Sequence, residues 1–204
     1  MRRKLLASPV LLAALVLGAT GAVHAKEAPK TQMGASASML SNTCAGCHGT
    51  DGVSTGPSIP TIAGLSPDYF IDLMAAYKEG DVPSTIMGRI AKGYTDEEIE
   101  KMANFYAGKK FVAAKQPFDA KLAKIGAKYH DKNCEKCHAE GGSSAEDDSG
   151  ILAGQWSTYI DWSLQDFHAG DRPMSKKMAK KLNKLMKKEA NAREALVNYY
   201  ASQQ

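Results

Sequence analysis

The chain has 204 residues and a formal net charge of +4, with 44% of its residues hydrophobic and 24% charged. This length allows one large domain or two small ones. Three basic residues, Arg2, Arg3 and Lys4, lie in a segment that we predict to be removed, which leaves a net charge of about +1. A net charge this small does not indicate binding to nucleic acid, and we expect no nucleic-acid partner.

Residues 1–25 have the pattern of a secretory signal peptide. The basic residues precede an apolar run over residues 10–17, and Val23-His24-Ala25 ends the segment with an A-x-A-like cleavage site. The apolar run is shorter than the roughly 20 residues of a membrane span, which disfavours an uncleaved anchor. We therefore predict cleavage after Ala25, a periplasmic location and no membrane span in the mature chain.

All four cysteines lie in two C-x-x-C-H pentapeptides, a pattern typical of c-type haem attachment. Two thiols three residues apart on a helical turn can form thioethers with the two vinyl groups of a porphyrin, while the following imidazole reaches the iron. The sequence thus predicts two covalently bound haem c groups. The predicted attachment residues and proximal ligands are Cys44, Cys47 and His48 in the first motif, and Cys134, Cys137 and His138 in the second.

Two other uses of a C-x-x-C pair compete with haem attachment. Zinc sites normally separate two such pairs by about 15–20 residues, whereas these pairs lie 90 positions apart and each is followed by histidine. A thioredoxin-like redox pair calls for a βαβ context, whereas the residues around both motifs are glycine-rich and favour helices. Both alternatives are weaker than haem attachment.

The chain repeats itself at an offset of 90 residues, which predicts two haem domains. Their predicted bounds are residues 26–114, here called the first half, and residues 115–204, the second half, with Gln116-Pro117 marking the boundary. Besides the two motifs, the positions that correspond at this offset are Ala63-Gly64 and Ala153-Gly154, Tyr69 and Tyr159, and Gly80-Asp81 and Gly170-Asp171. Beyond Asp81 the register drifts, with Ile90-Ala91 matching Met178-Ala179 and Phe105-Tyr106-Ala107 matching Tyr199-Tyr200-Ala201.

Helical signals occur throughout both halves. Ser66-Pro67 is a cap with proline at the first helical position and opens a helix over residues 68–78. Thr95–Glu98 is a capping box that opens a helix ending near Gly108. In the second half we expect helices over residues 119–133, 156–167 and 191–202. No segment shows sustained period-two alternation, so the predicted class is all-α, with two tandem class I cytochrome c-type domains.

Each iron needs a second axial ligand, and methionine in the loop before the last helix would close it to substrate. In the first half the loop Val82–Gly88 contains one methionine, Met87, which is the predicted ligand. In the second half Met174 and Met178 are both candidates. We favour Met174, because Met178 corresponds to Ile90 in an apolar helical position.

Other residues near the motifs are expected to play smaller parts. We expect His130 and His168 to be exposed and not to bind iron. Gly56-Pro57 resembles the loop of c-type cytochromes in which a proline carbonyl accepts a hydrogen bond from the proximal imidazole. The corresponding residues 146–150 contain no proline. His138 therefore needs another partner, and the two haems need not share a potential.

Several sequence segments longer than the C-x-x-C-H motif resemble those of a known family. The resemblance covers essentially the whole mature chain. These segments are Cys44–Thr50, Ser84–Tyr94, Cys134–His138, Ile151–Trp156, Arg172–Met174 and the closing Tyr200–Gln204. Together they resemble the dihaem cytochrome subunit of flavocytochrome c sulfide dehydrogenases. The two-domain layout is similar to that of the cytochrome c4 group.

The resemblance implies an electron-transfer subunit that is not catalytic alone. In that family the cytochrome pairs as a heterodimer with a flavoprotein that carries the FAD and oxidises sulfide. Electrons then pass through the haems to a soluble acceptor, such as a small cytochrome c. The alternative is a free-standing dihaem shuttle to a terminal oxidase. A dihaem peroxidase or thiosulfate dehydrogenase would need an open iron or a cysteine ligand, and no cysteine is spare.

The lysine-rich stretch Lys176–Lys188 has an apolar face formed by Met178, Leu182, Leu185 and Met186. This pattern is typical of a solvated helix packed on a core. The same lysines could instead steer an acidic redox partner. The sequence leaves both interpretations open.

Overall fold

The computed structural model describes residues 34–146 and 149–204. The predicted signal peptide and its cleavage site lie outside these residues. In the described ranges all regular elements are helical, which confirms the all-α prediction, and Gly34–Gln204 form one compact unit. Among these helices, none combines the length and apolar composition that crossing a membrane requires.

The helices of the first half begin where the sequence places caps. The side chain of Ser66 accepts a hydrogen bond from the amide of Tyr69, with Pro67 at the helix start. Thr95 and Glu98 form the predicted capping box. The elements are α1 (Ala37–Asn42), α2 (Ala45–His48), a 3-10 turn (Thr50–Gly52), α3 (Pro67–Glu79), α4 (Met87–Ala91) and α5 (Asp96–Ala107).

The second half contains five helices within its described residues. The three predicted from the sequence are present with bounds that differ by one or two residues, as is usual at helix ends. Asp119 caps the first of them by accepting from the amides of Lys121 and Leu122. The elements are α6 (Ala120–Asn133), α7 (Ala139–Gly142), α8 (Ser157–Ala169), α9 (Lys176–Lys188) and α10 (Ala192–Ala201).

Two hydrophobic cores form, each where several helices pack on one central helix. In the first, α1 and α3 pack on α5 through buried residues such as Leu40, Phe70 and Met102. In the second, α6, α8 and α9 pack on α10 through residues such as Leu182 and Leu196. Each core lies next to one C-x-x-C-H motif, so that each motif is held between its own set of helices.

The two halves are joined by hydrogen bonds from two neighbouring side chains, of which Gln155 is buried. The amide of Gln155 accepts from the backbone N–H of Thr61 and donates to the Thr61 carbonyl, both at 2.9 Å. The indole of Trp156 donates to the carbonyl of Ser54 at 3.2 Å. Ile151, which the repeat assigns to the second half, packs in the first core. The loop around residues 151–156 therefore ties the halves together.

Candidate haem sites

The first C-x-x-C-H motif forms a short helix whose histidine is held by a backbone carbonyl. Cys44 precedes α2 and His48 ends it with a buried imidazole. Nδ1 of His48 lies 2.8 Å from the carbonyl oxygen of Pro60. Because a carbonyl oxygen only accepts, Nδ1 donates its proton and Nε2 remains free for iron. The hydrogen bond also fixes the orientation of the ring.

The carbonyl that holds His48 is not the predicted one. The sequence predicts the acceptor in the loop Gly56-Pro57. This prediction is wrong, because the carbonyl of Pro60 accepts the hydrogen bond from His48. The amides of Ile62 and Ala63 both donate to the carbonyl of Gly52, at 2.8 and 3.2 Å. This closure of the loop returns residue 60, rather than residue 57, to the imidazole.

The second motif has the same loop closure but a different environment for its histidine. The amides of Leu152 and Ala153 donate to the carbonyl of Gly142, at 2.8 and 3.0 Å, as their counterparts do in the first half. Nδ1 of His138 is buried and has no hydrogen-bond partner among the described residues. The two proximal histidines are therefore held differently, and the partner of His138 stays a prediction.

A cavity of about 970 Å³ adjoins the second motif. Its wall contains Cys134, Cys137 and His138, and it lies at the upper end of the size range of ligand pockets. Other residues of the lining are apolar side chains of the second core, among them Leu164, Leu182, Leu185 and Leu196. An apolar cavity that presents two thiols and one imidazole fits a covalently attached porphyrin.

Burial favours the neutral form of both imidazoles, which is the form that binds iron. Desolvation lowers the pKa of His48, against the opposing effect of its bond to Pro60. Desolvation also lowers the pKa of His138, and the nearby His130 lowers it further. Both rings are thus neutral at neutral pH, and a neutral imidazole is the form that ligates a metal.

The first cysteine of each motif is poorly suited to the two competing uses of that motif. Burial raises the pKa of Cys44, and it raises the pKa of Cys134 to about 11. A neutral thiol is a weak nucleophile and a weak metal ligand. All four cysteines lie in the described ranges and none forms a disulfide. Those ranges also contain no cluster of three or more His, Cys, Asp or Glu side chains that could hold zinc.

The candidate distal methionines lie where each half begins a new helix. Met87 is the first residue of α4 and packs, partly buried, against the first core. Met174, in the loop before α9, and Met178, within α9, both line the cavity and pack against the second core. The structure brings both candidates to the same site, so the choice of Met174 stays a prediction.

His130 was expected to be exposed, and this prediction is wrong. Its side chain is completely buried between α6 and α10. Nε2 donates to the carboxylate of Glu135 at 2.6 Å, and Nδ1 lies 3.0 Å from the hydroxyl of Tyr200. The signal was present in the sequence, because His130 follows Gly126 and Ala123 at the spacing of one helical face. His168 is exposed, as predicted.

Arg172 is a buried cation whose role the sequence alone does not indicate. Its guanidinium lies 4.8 Å from the ring of Phe167 and donates to the hydroxyl of Ser163 at 3.1 Å. It also lines the cavity, together with Tyr69 of the first half and Tyr159. Burial raises the pKa of Tyr69, and the positive charge of Arg172 opposes this shift. The cavity wall thus carries a fixed positive charge.

The helical fold and the two motifs beside separate cores define a class I c-type cytochrome with two covalently bound haem c groups. The family described as cytochrome c oxidase, cbb3-type, subunit III matches residues 32–105. Cytochrome c4 of Stutzerimonas stutzeri is 30% identical over 177 residues, with 78% of this chain and 80% of that protein covered. The chain belongs to the cytochrome c4 family of dihaem electron-transfer cytochromes.

A second relative matches more strongly over a shorter range. The cytochrome subunit of sulfide dehydrogenase from Chlorobaculum tepidum is 46% identical over 102 residues. This match covers 50% of the present chain and 92% of that protein. The resemblance noted from the sequence strings is thereby confirmed.

Solved structures agree with this assignment. The reduced recombinant cytochrome c4 from Pseudomonas stutzeri superposes with a TM-score of 0.70 at 25% identity, covering 82% of this chain and 98% of that one. Thiosulfate dehydrogenase from Marichromatium purpuratum gives a TM-score of 0.67 at 27% identity. That match covers 79% of this chain but only 36% of the larger protein.

Proposed function

We propose that this cytochrome is the electron-transfer subunit of a sulfide-oxidising flavocytochrome. It accepts electrons from an FAD-containing flavoprotein subunit, which performs the sulfide chemistry, and passes them to a soluble acceptor such as a small cytochrome c. The observation that carries the proposal is the 46% identity to a protein named as the cytochrome subunit of sulfide dehydrogenase, of which 92% is covered.

The chain's own residues support a relay rather than a reaction at iron. Haem c supplies reversible one-electron transfer when bound. Cys44, Cys47, Cys134 and Cys137 would hold the two groups, and His48 and His138 would ligate the irons. With Met87 and Met174 as the second ligands, no position would be left for a substrate, so that neither half would make or break a bond.

The working form begins after a cleaved signal peptide and is periplasmic. The charged, basic start and short apolar run of residues 1–25 support this location. Residues 26–114 and 115–204 each carry one haem as a domain. The separate cores beside the two motifs support this division, although Ile151 of the second half packs in the first core.

The proposal is tested by purifying the native protein and recording its visible spectrum with a subunit analysis. We expect a heterodimer with flavin absorbance in addition to two low-spin haems. A flavin-free monomer with the same haem spectrum would contradict the flavoprotein partnership. A high-spin signal in the oxidised protein would contradict methionine closure and favour an enzyme with an open iron.

A free-standing electron shuttle is the second candidate. It is favoured by the cytochrome c4 match, which spans 78% of this chain, whereas the match to the sulfide dehydrogenase subunit spans 50%. The same purification separates the two, because a shuttle would be isolated without flavin. Rapid re-oxidation by membranes containing a terminal oxidase would then identify its acceptor.

A further inference from the structure

Helix α9 carries a dense cluster of positive charge on one exposed surface. Lys176–Lys188 contains seven lysines and no acidic residue, and all seven are exposed. Within the described residues, only Lys188 forms an ion pair, with its neighbour Glu189. Seven charges exceed the net charge of the whole chain, +4, so the remainder is net acidic. Helix α9 is therefore a local concentration of positive charge on a chain whose other residues are slightly net acidic. The lysines are 176, 177, 180, 181, 184, 187 and 188.

This arrangement does not serve the stability of the helix. Lys176 and Lys177 stand in the first turn, where positive charge opposes the helix dipole. Lys177 and Lys181, and likewise Lys180 and Lys184, repel each other at the i,i+4 spacing. Acidic residues at either place would stabilise the helix. The clustered lysines thus destabilise the helix, which indicates that they serve binding rather than folding.

The lysine surface adjoins the second haem site. Lys177, Lys180 and Lys181 line the same cavity as Cys137 and His138. A partner bound to these lysines would therefore lie close to the second haem.

Among residues 34–114, the part of the first half that the structure describes, no helix carries an equivalent cluster of lysines. Its helix in the corresponding place is α4, which has five residues, whereas α9 has 13. Within α4 there is one basic residue, Arg89, and α5 begins soon after it with Asp96, Glu97 and Glu98. The repeat diverges here, so that among the described helices only α9 places a lysine cluster beside a haem motif.

We propose that the seven exposed lysines of α9 form the docking surface for the acidic face of the soluble electron acceptor, which places electron exit at the second haem. This rests on the proposed electron-transfer function. No large exposed hydrophobic residue lies on α9, whereas a permanent subunit interface buries an apolar patch. A charged, apolar-poor surface suits a transient redox encounter that is steered by charge. Its place beside the haem cavity favours a redox protein over a membrane surface.

The test compares two sets of lysine substitutions in the holo-protein. Lys177→Gln, Lys180→Gln and Lys181→Gln are combined in α9, and Lys121→Gln, Lys124→Gln and Lys128→Gln in α6 form the matched control. All six lysines are exposed, and both sets remove the same charge from the second half. Stopped-flow mixing of the reduced protein with a small acidic blue-copper protein measures transfer of one electron to Cu(II). A basic mitochondrial cytochrome c serves as the second acceptor.

For the acidic acceptor at low salt, we expect the α9 variant to lose about tenfold in second-order rate constant and most of its salt dependence, since steering contributes factors of about 10–1,000. The α6 variant should lose less than about twofold. The basic acceptor should not be slowed by the α9 changes. An unchanged visible spectrum and unfolding temperature show that a variant is folded.

Equal losses in the two variants would overturn the proposal, as would a rate to the acidic acceptor that does not depend on salt. Sedimentation with phosphatidylserine vesicles tests the membrane alternative. Loss of vesicle binding in the α9 variant with unchanged electron-transfer rates would assign the surface to a membrane and overturn the proposal. Co-purification of flavin reports on the flavoprotein partnership separately, so the failure of either proposal can be recognised.

Discussion

At the scale of single residues, the second haem site contains a buried polar network that the first site lacks. His130 bonds to Glu135 and Tyr200, whereas the corresponding position in the first half is the apolar Leu40, and Tyr106 donates instead to the backbone carbonyl of Ser41. Glu135 lies between the two cysteines of its motif. The network therefore connects the turn that carries the second motif to the closing helix α10.

The network predicts a pH-dependent contribution from Glu135. Its bond from His130, and the amides of Gly141 and Glu140, hold the pKa of Glu135 below its ordinary value of 4.5. Since the folded-state pKa is the lower one, the carboxylate stabilises the fold above pH 4.5, and this contribution is lost as the pH falls through the lowered value. We expect Glu135→Gln to lower the free energy of unfolding at pH 7 and to match the parent protein in strongly acidic buffer. Denaturant titrations at several pH values measure the difference.

The exposed Glu100 provides a control for this experiment, since Glu100→Gln removes the same charge from the first half. It should leave the free energy of unfolding within about 0.5 kcal/mol of the parent, as is usual for surface substitutions. A Glu135→Gln difference that stays constant from pH 7 to strong acid would show that the carboxylate is not the source of the effect.

The two candidate methionines of the second site predict different outcomes when removed. If Met174 is the ligand, Met174→Ala should abolish the long-wavelength absorption of methionine-ligated ferric haem for one of the two haems and lower its potential, because a methionine ligand raises the potential. Met178→Ala should keep both. Visible spectra and a redox titration of each variant decide between them. The opposite pattern would assign the iron to Met178 instead.

At the scale of helices, the capping signals were reliable and the packing was not visible in the sequence. Ser66 and Thr95 mark helix starts because a cap is a local interaction between residues three positions apart. The partner of His48 could not be found in this way, since the position of Pro60 depends on the loop closing on Gly52. Likewise, the sequence places His130 on the same face of α6 as Ala123 and Gly126, but its contact with Tyr200 depends on where α10 crosses α6.

The crossing of α6 and α10 requires a residue without a side chain at position 126. A Cβ atom on Gly126 would lie 2.0 Å from the carbonyl oxygen of Ala195 and 2.6 Å from the Cβ of Tyr199. We expect Gly126→Ala to destabilise the protein by about 1–3 kcal/mol, because overpacking outweighs the better helix propensity of alanine. Thermal and denaturant unfolding of the holo-protein measure this loss.

Gly56→Ala is the matched control, since a Cβ atom there would meet nothing within 4 Å and the backbone does not require glycine. It should leave the unfolding temperature nearly unchanged. A stable Gly126→Ala protein would mean that the two helices can separate without loss, which would contradict the close backbone contact.

At the scale of the whole molecule, the 90-residue repeat identified two haem sites but not the way the halves join. Gln155 and Trp156 lie in a string that carried the family resemblance, yet their roles depend on Thr61 and Ser54, which are about 100 positions away in the sequence. A repeat describes what two halves share. The junction is formed by residues at which they differ, since Gln155 has no matching glutamine in the first half.

This junction predicts that Gln155 couples the unfolding of the two halves. Gln155→Ala leaves the N–H and the carbonyl of Thr61 without their partner in a buried place, which costs about 1–3 kcal/mol. We expect this loss to separate the unfolding of the first and second halves into two transitions, whereas the parent protein unfolds in one. Haem absorbance and far-ultraviolet circular dichroism, followed together in denaturant, resolve the transitions. The exposed Gln165, which bonds only to Asp161 one turn away, is the control. If Gln155→Ala and Gln165→Ala unfold alike, the hydrogen bonds to Thr61 do not hold the halves together.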